Sequence, residues 1–135
     1  MSDIIYKKDY VPETMQIIEV YQSSGIKRPI DNVARIEKMY VNSNIIITAW
    51  ENKKLVGVAR ALTDFSYCCY LSDLAVRQEY QSEGIGKQLI EEVKKAIGTT
   101  EEISLLLLSA PNAMEYYPKV GFEAIENGFI IKRKK

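Results

Sequence analysis

The sequence predicts an α/β fold, with a mixed, mostly antiparallel β-sheet flanked by helices, in one domain covering residues 1–135. Three observations lead there. Short strand-like runs follow one another as a hairpin in the first half of the chain. A strand, a glycine-containing turn and a strongly amphipathic helix succeed one another between Tyr70 and Gly98. A nearly continuous apolar run then follows that helix, so a strand–helix–strand crossover occupies the second half and the sheet must be mixed.

Asp3 to Lys8 is expected as the first strand. Pro12 suits a first helical turn ahead of Ile17, Ile18 and Tyr21, and Gly25 can end that helix. Asp31 is the expected N-cap of a second helix carrying Val33, Ile36 and Tyr40. Ile45 to Glu51 and Leu55 to Asp64 form a hairpin through Asn52, Lys53 and Lys54, and Tyr70 to Arg77 is the next strand. The following helix is the clearest in the chain. Ile85, Leu89, Ile90, Val93, Ala96 and Ile97 make one apolar stripe, Lys87, Gln88, Glu91, Glu92, Lys94 and Lys95 take the other face, and Gly98 supplies a stop. Ile103 to Ser109 is a strand expected to be covered on both faces. Pro111 opens a short helix ending near Gly121. A last strand pair, Phe122 to Glu126 and Phe129 to Arg133, turns at Asn127-Gly128.

Composition narrows the function classes. With 135 residues, 47% apolar and 27% charged, the chain can bury a substantial core and is not a disordered one. A net charge of zero argues against an electrostatic grip on nucleic acid or an anionic membrane. The only basic run, Lys132-Arg133-Lys134-Lys135, is expected to be a solvated end. No apolar run is long enough to span a bilayer, and the charged start does not read as a signal peptide, so the cytoplasm is the expected location. With no histidine, Ser-His-Asp and Cys-His nucleophile systems are excluded, and no metal is expected. Cys68 and Cys69 are adjacent, point to opposite faces of a strand, and are expected as two free, partly buried thiols.

The most informative segment is Gln81-Ser82-Glu83-Gly84-Ile85-Gly86, followed by Lys87. It lies between a strand and a helix. The backbone N–H groups of a helix start lack intrahelical partners and carry the positive end of the macrodipole. Glycines at alternate positions let a ligand approach them, so the turn suits a phosphate or pyrophosphate. It is not a Walker A loop, because Gly86-Lys87 precedes Gln88 and the residue five before Gly86 is Gln81. Nor is it a dinucleotide fingerprint, whose third glycine would fall at Leu89.

Gln-x-x-Gly-x-Gly after Leu74-Ala75-Val76 resembles the acetyl-CoA signature of the GNAT superfamily of N-acetyltransferases. A second segment, Ala113 to Phe122, resembles that family's Ala-x-x-x-Tyr-x-x-x-Gly-Phe pattern. The resemblance implies a sheet whose fourth and fifth strands splay apart to admit the pantetheine arm of acetyl-CoA. It implies that Gln81, Ser82, Glu83, Gly84, Ile85, Gly86 and Lys87 hold the pyrophosphate, and that the main chain of Leu74, Ala75 and Val76 pairs with pantetheine and polarises the thioester carbonyl. Tyr117 matches the tyrosine that gives a proton to the departing CoA sulfur. Asn112 could cap the short helix and touch the cofactor, although it stands closer to the alanine than is usual in the family.

Arg60 to Phe65, Asp73 to Val76 and Tyr80-Gln81 are similar to plant plastid arylalkylamine acetyltransferases, which implies Asp73 as general base and Tyr80 as a further catalytic residue. The alternatives for these two are a cross-strand ion pair and loop packing. Tyr21, Tyr40, Trp50, Phe65 and Tyr67 are the aromatic residues available to an acceptor pocket. The expected function is direct acetyl transfer from acetyl-CoA to a small primary amine in a ternary complex. Protein lysine or N-terminal acetylation, and a non-catalytic acyl-CoA-binding module, are the alternatives. A homodimer is left open.

Overall fold

A computed structural model describes residues 3–135. At its centre is a five-stranded sheet in the order β1-β2-β3-β4-β5, made of Ile4–Lys8, Ile45–Glu51, Lys54–Thr63, Cys68–Val76 and Ser104–Leu106. Neighbours from β1 to β4 run antiparallel, and β5 joins β4 in parallel. The mixed, mostly antiparallel sheet expected from the sequence is present. Four helices accompany it: α1 (Thr14–Ser24), α2 (Val33–Val41), α3 (Ile85–Ile97) and α4 (Tyr116–Lys119). The single parallel pair arises because α3 crosses between β4 and β5.

Strand alternation separates two cores. Ile45, Ile47 and Ala59 face α3, packing with Leu89, Ile90 and Val93. Ile46, Trp50 and Val58 face α1 and α2, packing with Ile17, Tyr21, Ile36 and Tyr40. Gly57 on β3 sets how closely α3 can sit. A Cβ there would lie 3.2 Å from Leu89 Cδ1 and 3.3 Å from Ile85 Cγ2.

Several expectations shift. Pro12 precedes α1 instead of lying in its first turn, and Glu13 is the N-cap. Gly25 does end α1, at φ +80. The cap of α2 is Asn32 and not Asp31, with its Oδ1 accepting from the Arg35 N–H at 3.1 Å. Val33 is exposed, so Ile36 and Tyr40 anchor that helix in the core, with Met39 packed beside them. Cys68 is exposed and Cys69 buried, both free, as opposite faces require.

Two corrections are larger. The strand expected to be covered on both faces is only three residues long, and Leu106 and Leu108 are 40% and 63% exposed. Leu105 and Leu107 pack against the core that α3 forms, while the face carrying Leu106 and Leu108 is left largely to solvent. The expected final strand pair is absent: residues 122–135 form no strand, because residues 123–134 make no main-chain hydrogen bond among the described residues that could pair them with a neighbouring segment. No helix among the described residues is long and apolar enough to cross a membrane.

One irregularity positions everything that follows. Arg60 on β3 faces Asp73, while its neighbour Ala61 faces Leu71, so Ser72 is an extra residue in β4. The bulge changes the parity of the strand. Before it, Cys69 and Leu71 point into the α3 core; after it, Leu74 and Val76 do. Asp73 is thereby turned beneath α1 and α2, and Ala75 packs in their core.

Candidate active site

Strands β4 and β5 pair at Cys68 with Ser104, Cys69 with Leu105 and Tyr70 with Leu106, and no further. From residue 71 to 76 the edge of β4 away from β3 therefore carries main chain with no strand beside it. The bulge at Ser72 lies just past the last pair and aims the strand away from β5. An open edge of this kind can take an extended amide-bearing ligand as though it were another strand. Ala75 and Val76 are buried and Leu74 is half-buried, so their side chains serve the cores and leave the main chain for the ligand.

The open edge runs into the glycine turn. A 3₁₀ turn, Gln78–Tyr80, follows β4, and Gln81 closes the strand end by donating from Nε2 to the Val76 carbonyl at 2.9 Å. Ser82 and Gly84 both adopt the left-handed conformation, at φ +67 and +83, and α3 starts at Ile85. Among the described residues, the N–H groups of Ser82, Glu83, Gly84, Ile85, Gly86 and Lys87 have no acceptor. They lie at the positive end of a 13-residue helix. Ile85 is buried and anchors the turn, while the side chains of Gln81, Ser82, Glu83 and Lys87 are exposed. A Cβ at Gly86 would lie 3.1 Å from the Tyr116 hydroxyl, so the bare glycine lets α4 rest against the start of α3.

Asp73 is fully buried and heavily bonded. Oδ1 accepts from Arg28 Nε at 2.6 Å and Ser72 Oγ at 3.2 Å; Oδ2 accepts from Arg60 Nε at 2.7 Å and the Tyr21 hydroxyl at 2.5 Å. A carboxylate offers about four lone-pair sites, and all are taken. Burial by itself would raise the pKa. The Arg60 hydrogen bond, the Arg28 and Arg60 charges and the Tyr21 hydroxyl outweigh it and hold the carboxyl below its usual range. Tyr21 gives its only proton to Asp73, so the Tyr40 hydroxyl, 2.6 Å away, must donate to Tyr21. Burial raises both phenols, and both stay protonated. Arg28 also donates from Nη2 to the Ser72 carbonyl at 2.6 Å, which ties the α1–α2 connection to the bulge itself.

Tyr117 is half-buried on α4, stacked edge-on against Tyr116 and Phe122 at centroid distances of 5.2 and 5.6 Å. Its hydroxyl has no hydrogen-bond partner among the described residues. Burial raises its pKa above the ordinary 10.0 and Tyr116 adds to the rise, while the Arg28 guanidinium works against both. Arg28, bonded to Asp73, is thus a positive charge that also acts on Tyr117.

Other expected residues lie elsewhere. The Tyr80 hydroxyl donates to Glu51, and Lys54 Nζ stands 5.2 Å from its ring centroid, so Tyr80 packs at the β2–β3 hairpin and makes no hydrogen bond to Tyr117, Arg28 or Asp73. Asn112 is exposed on the 3₁₀ turn Pro111–Ala113 and does not cap α4, whose N-cap is Glu115. Tyr21, Tyr40 and Trp50 are core residues, at 0%, 2% and 5% exposure. Phe65 and Tyr67 are exposed, at the closed end of the β4–β5 wedge. Arg28 and Ser72 are the partners of Asp73 that sequence reasoning missed, and Tyr21, expected as a residue available to an acceptor pocket, is a third partner. A carboxylate in mid-strand was the available signal, because burial there demands cationic partners.

Comparison with known proteins agrees with this geometry. A profile described as "Acetyltransferase (GNAT) domain" matches residues 13–132. A chloroplastic GCN5-related N-acetyltransferase 2 of Arabidopsis thaliana is 33% identical over 78 residues, covering 58% of this chain and 30% of the plant protein. It fits the plastid-type resemblance. An uncharacterized N-acetyltransferase, ycf52, of the red alga Pyropia yezoensis is 32% identical over 101 residues, covering 72% of this chain and 56% of its own length. This chain therefore spans about a third to a half of these relatives. Among solved structures, an aminoglycoside N-acetyltransferase, AAC(6')-Iy in complex with CoA, shares the fold with a TM-score of 0.74 at 16% identity, over 100% of this chain and 97% of the other. The splayed strands, the glycine turn and the match over residues 13–132 place the chain in the GNAT acetyltransferase family.

Proposed function

We propose that this chain transfers the acetyl group of acetyl-CoA to a small primary amine by direct attack in a ternary complex. The observation that carries the proposal is continuity: the unpaired edge of β4 leads directly into six successive free N–H groups at the start of α3. The first suits the amides of a pantetheine arm, and the second suits a pyrophosphate. The solution of a same-fold protein with CoA supports the choice. Ser82 and Lys87 can add side-chain donors to the anion.

In this scheme acetyl-CoA supplies an activated acyl group, and the protein supplies charge and protons. A main-chain N–H on the open edge at residues 74–76 donates to the carbonyl oxygen as negative charge develops there. Tyr117 stays protonated through neutral pH and gives its proton to the departing sulfur. We assign Asp73 a positioning role in place of the base expected from sequence. With every lone pair occupied and its proton affinity lowered, it holds the bulge and Arg28 in place. The ammonium proton is then lost to solvent at the open wedge.

A small acceptor suits a chain of zero net charge with no acidic run to hold a polycationic segment. The test is release of free CoA thiol from acetyl-CoA in the presence of phenethylamine- and polyamine-type substrates and a lysine peptide. Fastest release with a small amine is expected. Preference for the peptide would make this a protein acetyltransferase. Binding of acetyl-CoA without thiol release from any amine would leave an acyl-CoA-binding module.

A further inference from the structure

We propose that the acceptor amine carries an anionic oxygen group, held in a basic basin that Lys27, Arg28, Arg35 and Arg133 form beside the acetyl-transfer site. This rests on the small-amine reading above and names the class of amine.

The connection between α1 and α2, together with the last residues of the chain, encloses a shallow basin of about 710 Å³. Lys27, Arg28, Arg35, Arg133 and Lys135 line it, and Asp31 is the only acid among its lining residues. Apart from Arg28, none of these charged side chains forms an ion pair among the described residues. Four cations elsewhere, Lys54, Arg77, Lys94 and Lys95, each have a carboxylate partner. The chain as a whole is neutral, so the positive excess in the basin is local. A concave surface of one sign focuses its field and concentrates ligands of the other. Arg35 Nη2 donates to the Lys135 main-chain oxygen at 3.2 Å, which holds that guanidinium at the basin wall.

Arg28 joins the basin to the chemistry. Its Nε bonds Asp73, its Nη1 the Lys27 carbonyl and its Nη2 the Ser72 carbonyl, each at 2.6 Å. A guanidinium has five N–H donors, so two are left for a ligand. The three bonds fix its plane in advance, and little ordering cost remains when an anion arrives. The same charge acts on Tyr117. An acceptor with its anion at Lys27 and Arg35 thus directs its amine past Arg28 toward Tyr117 and the open edge of β4. The cationic surroundings also favour the neutral, nucleophilic form of that amine, where Asp73 has no lone pair free to take its proton.

Size and charge select a small anion over a polymer. The basin has the volume of a small-molecule site. A nucleic acid or an acidic protein needs a basic stripe running well beyond it, which a chain of zero net charge does not favour. A polyamine is disfavoured for the opposite reason, since its second ammonium would lie among like charges.

The experiment compares kcat/KM for CoA thiol release within matched pairs: 4-(2-aminoethyl)benzoate against its benzamide, and tyramine O-phosphate against tyramine. In each pair the charge lies across the ring from the amine, so amine basicity is nearly constant. At least one anion is expected to exceed its neutral partner by about tenfold or more, as several charges acting on one group allow. Spermidine should be slower than either. Lys27→Gln/Arg35→Gln/Arg133→Gln should bring the ratio within about twofold of one, chiefly through KM for the anion. All three side chains are exposed, and circular dichroism checks the fold. Isothermal titration of the same pairs in the presence of CoA, which has no acetyl group to give, reads the basin without the chemistry. If no amine releases thiol, the acetyl-transfer reading fails, and the titration still decides the basin. Equal binding or equal rates within both pairs, fastest release with spermidine, or a triple variant that keeps the preference would each overturn the proposal.

Discussion

Arg60 and Asp73 stand opposite each other on β3 and β4, joined at 2.7 Å, at the residue pair where Ser72 is bulged out of the ladder. Arg60 also reaches Ser72 Oγ at 2.8 Å, and Arg28 pins the Ser72 carbonyl. The extra residue that opens the wedge is therefore held on both strands and from the helix connection above. A buried ion cluster with two cations and one anion adds little stability over a well-packed apolar one. Its value here is geometric, since it specifies where β4 turns away from β5.

Asp73→Asn leaves two guanidiniums around a neutral group. Breaking such a buried cluster costs about 3–5 kcal/mol, so a large fall in the denaturant midpoint is expected. The pH dependence follows from the depressed carboxyl pKa. Stability from Asp73 is fully present above the ordinary value of 3.8 and is lost as pH falls through the lower folded value. The gap between wild type and variant should therefore close in strong acid. If Asp73 positions and does not accept a proton, any fall in kcat/KM should be uniform across pH. A deficit that disappears at high pH, where free amine is abundant, would return Asp73 to the role of base.

Tyr117→Phe removes a hydroxyl that has no hydrogen-bond partner among the described residues, so stability should change by less than about 1 kcal/mol. Acetyl-CoA affinity should be nearly intact. Turnover should fall by roughly 10²-fold or more, the scale of a positioned general acid. Unchanged turnover, with chemistry shown to be rate-limiting, would remove Tyr117 from the mechanism.

What could be read in advance divides along local and non-local lines. Helix α3 begins at Ile85 and ends before Gly98, as its apolar stripe and glycine stop require, because both signals lie within the segment itself. Tyr117 was singled out by its place in a motif that resembles the family's, a signal that also lies within one short segment, and it stands on α4. The bulge was not legible: Ser72 is extra only relative to its partner strand, and nothing local marks it. Arg28 reaches Asp73 from 45 residues away, a contact made only once α1 has docked. The final strands failed for a related reason. Residues 122–126 and 129–133 have strand chemistry, yet a strand exists only where it has a ladder partner, and residues 123–134 make no main-chain hydrogen bond among the described residues.

Acetyl-CoA should stabilise the folded chain by about 2.7 kcal/mol at ~100 times its Kd, a rise of several degrees in Tm. Gly84→Val should lose that rise. Gly84 has open space for a Cβ but sits at φ +83, so the variant shifts the backbone that presents the N–H groups. Gly86→Val should lose it differently, by pushing away the Tyr116 hydroxyl and placing a side chain over the helix start. A wild-type Tm unmoved by millimolar acetyl-CoA would remove the basis of the proposed chemistry.

Arg28 should couple Tyr117 to the Asp73 cluster, and Arg28→Met isolates that link. The guanidinium favours the Tyr117 phenolate, so its removal should raise the Tyr117 pKa further above 10.0. Tyrosinate difference absorbance, with Tyr117→Phe as the subtraction, reads this directly. The alkaline limb of kcat, where the general acid is lost, should move to higher pH in step with it. Arg28→Lys keeps a charge but cannot bond Asp73, the Ser72 carbonyl and the Lys27 carbonyl together, as the guanidinium does. It should therefore leave the Tyr117 titration near wild type while weakening the fold. Identical titrations in wild type and Arg28→Met would show that Arg28 serves the bulge alone.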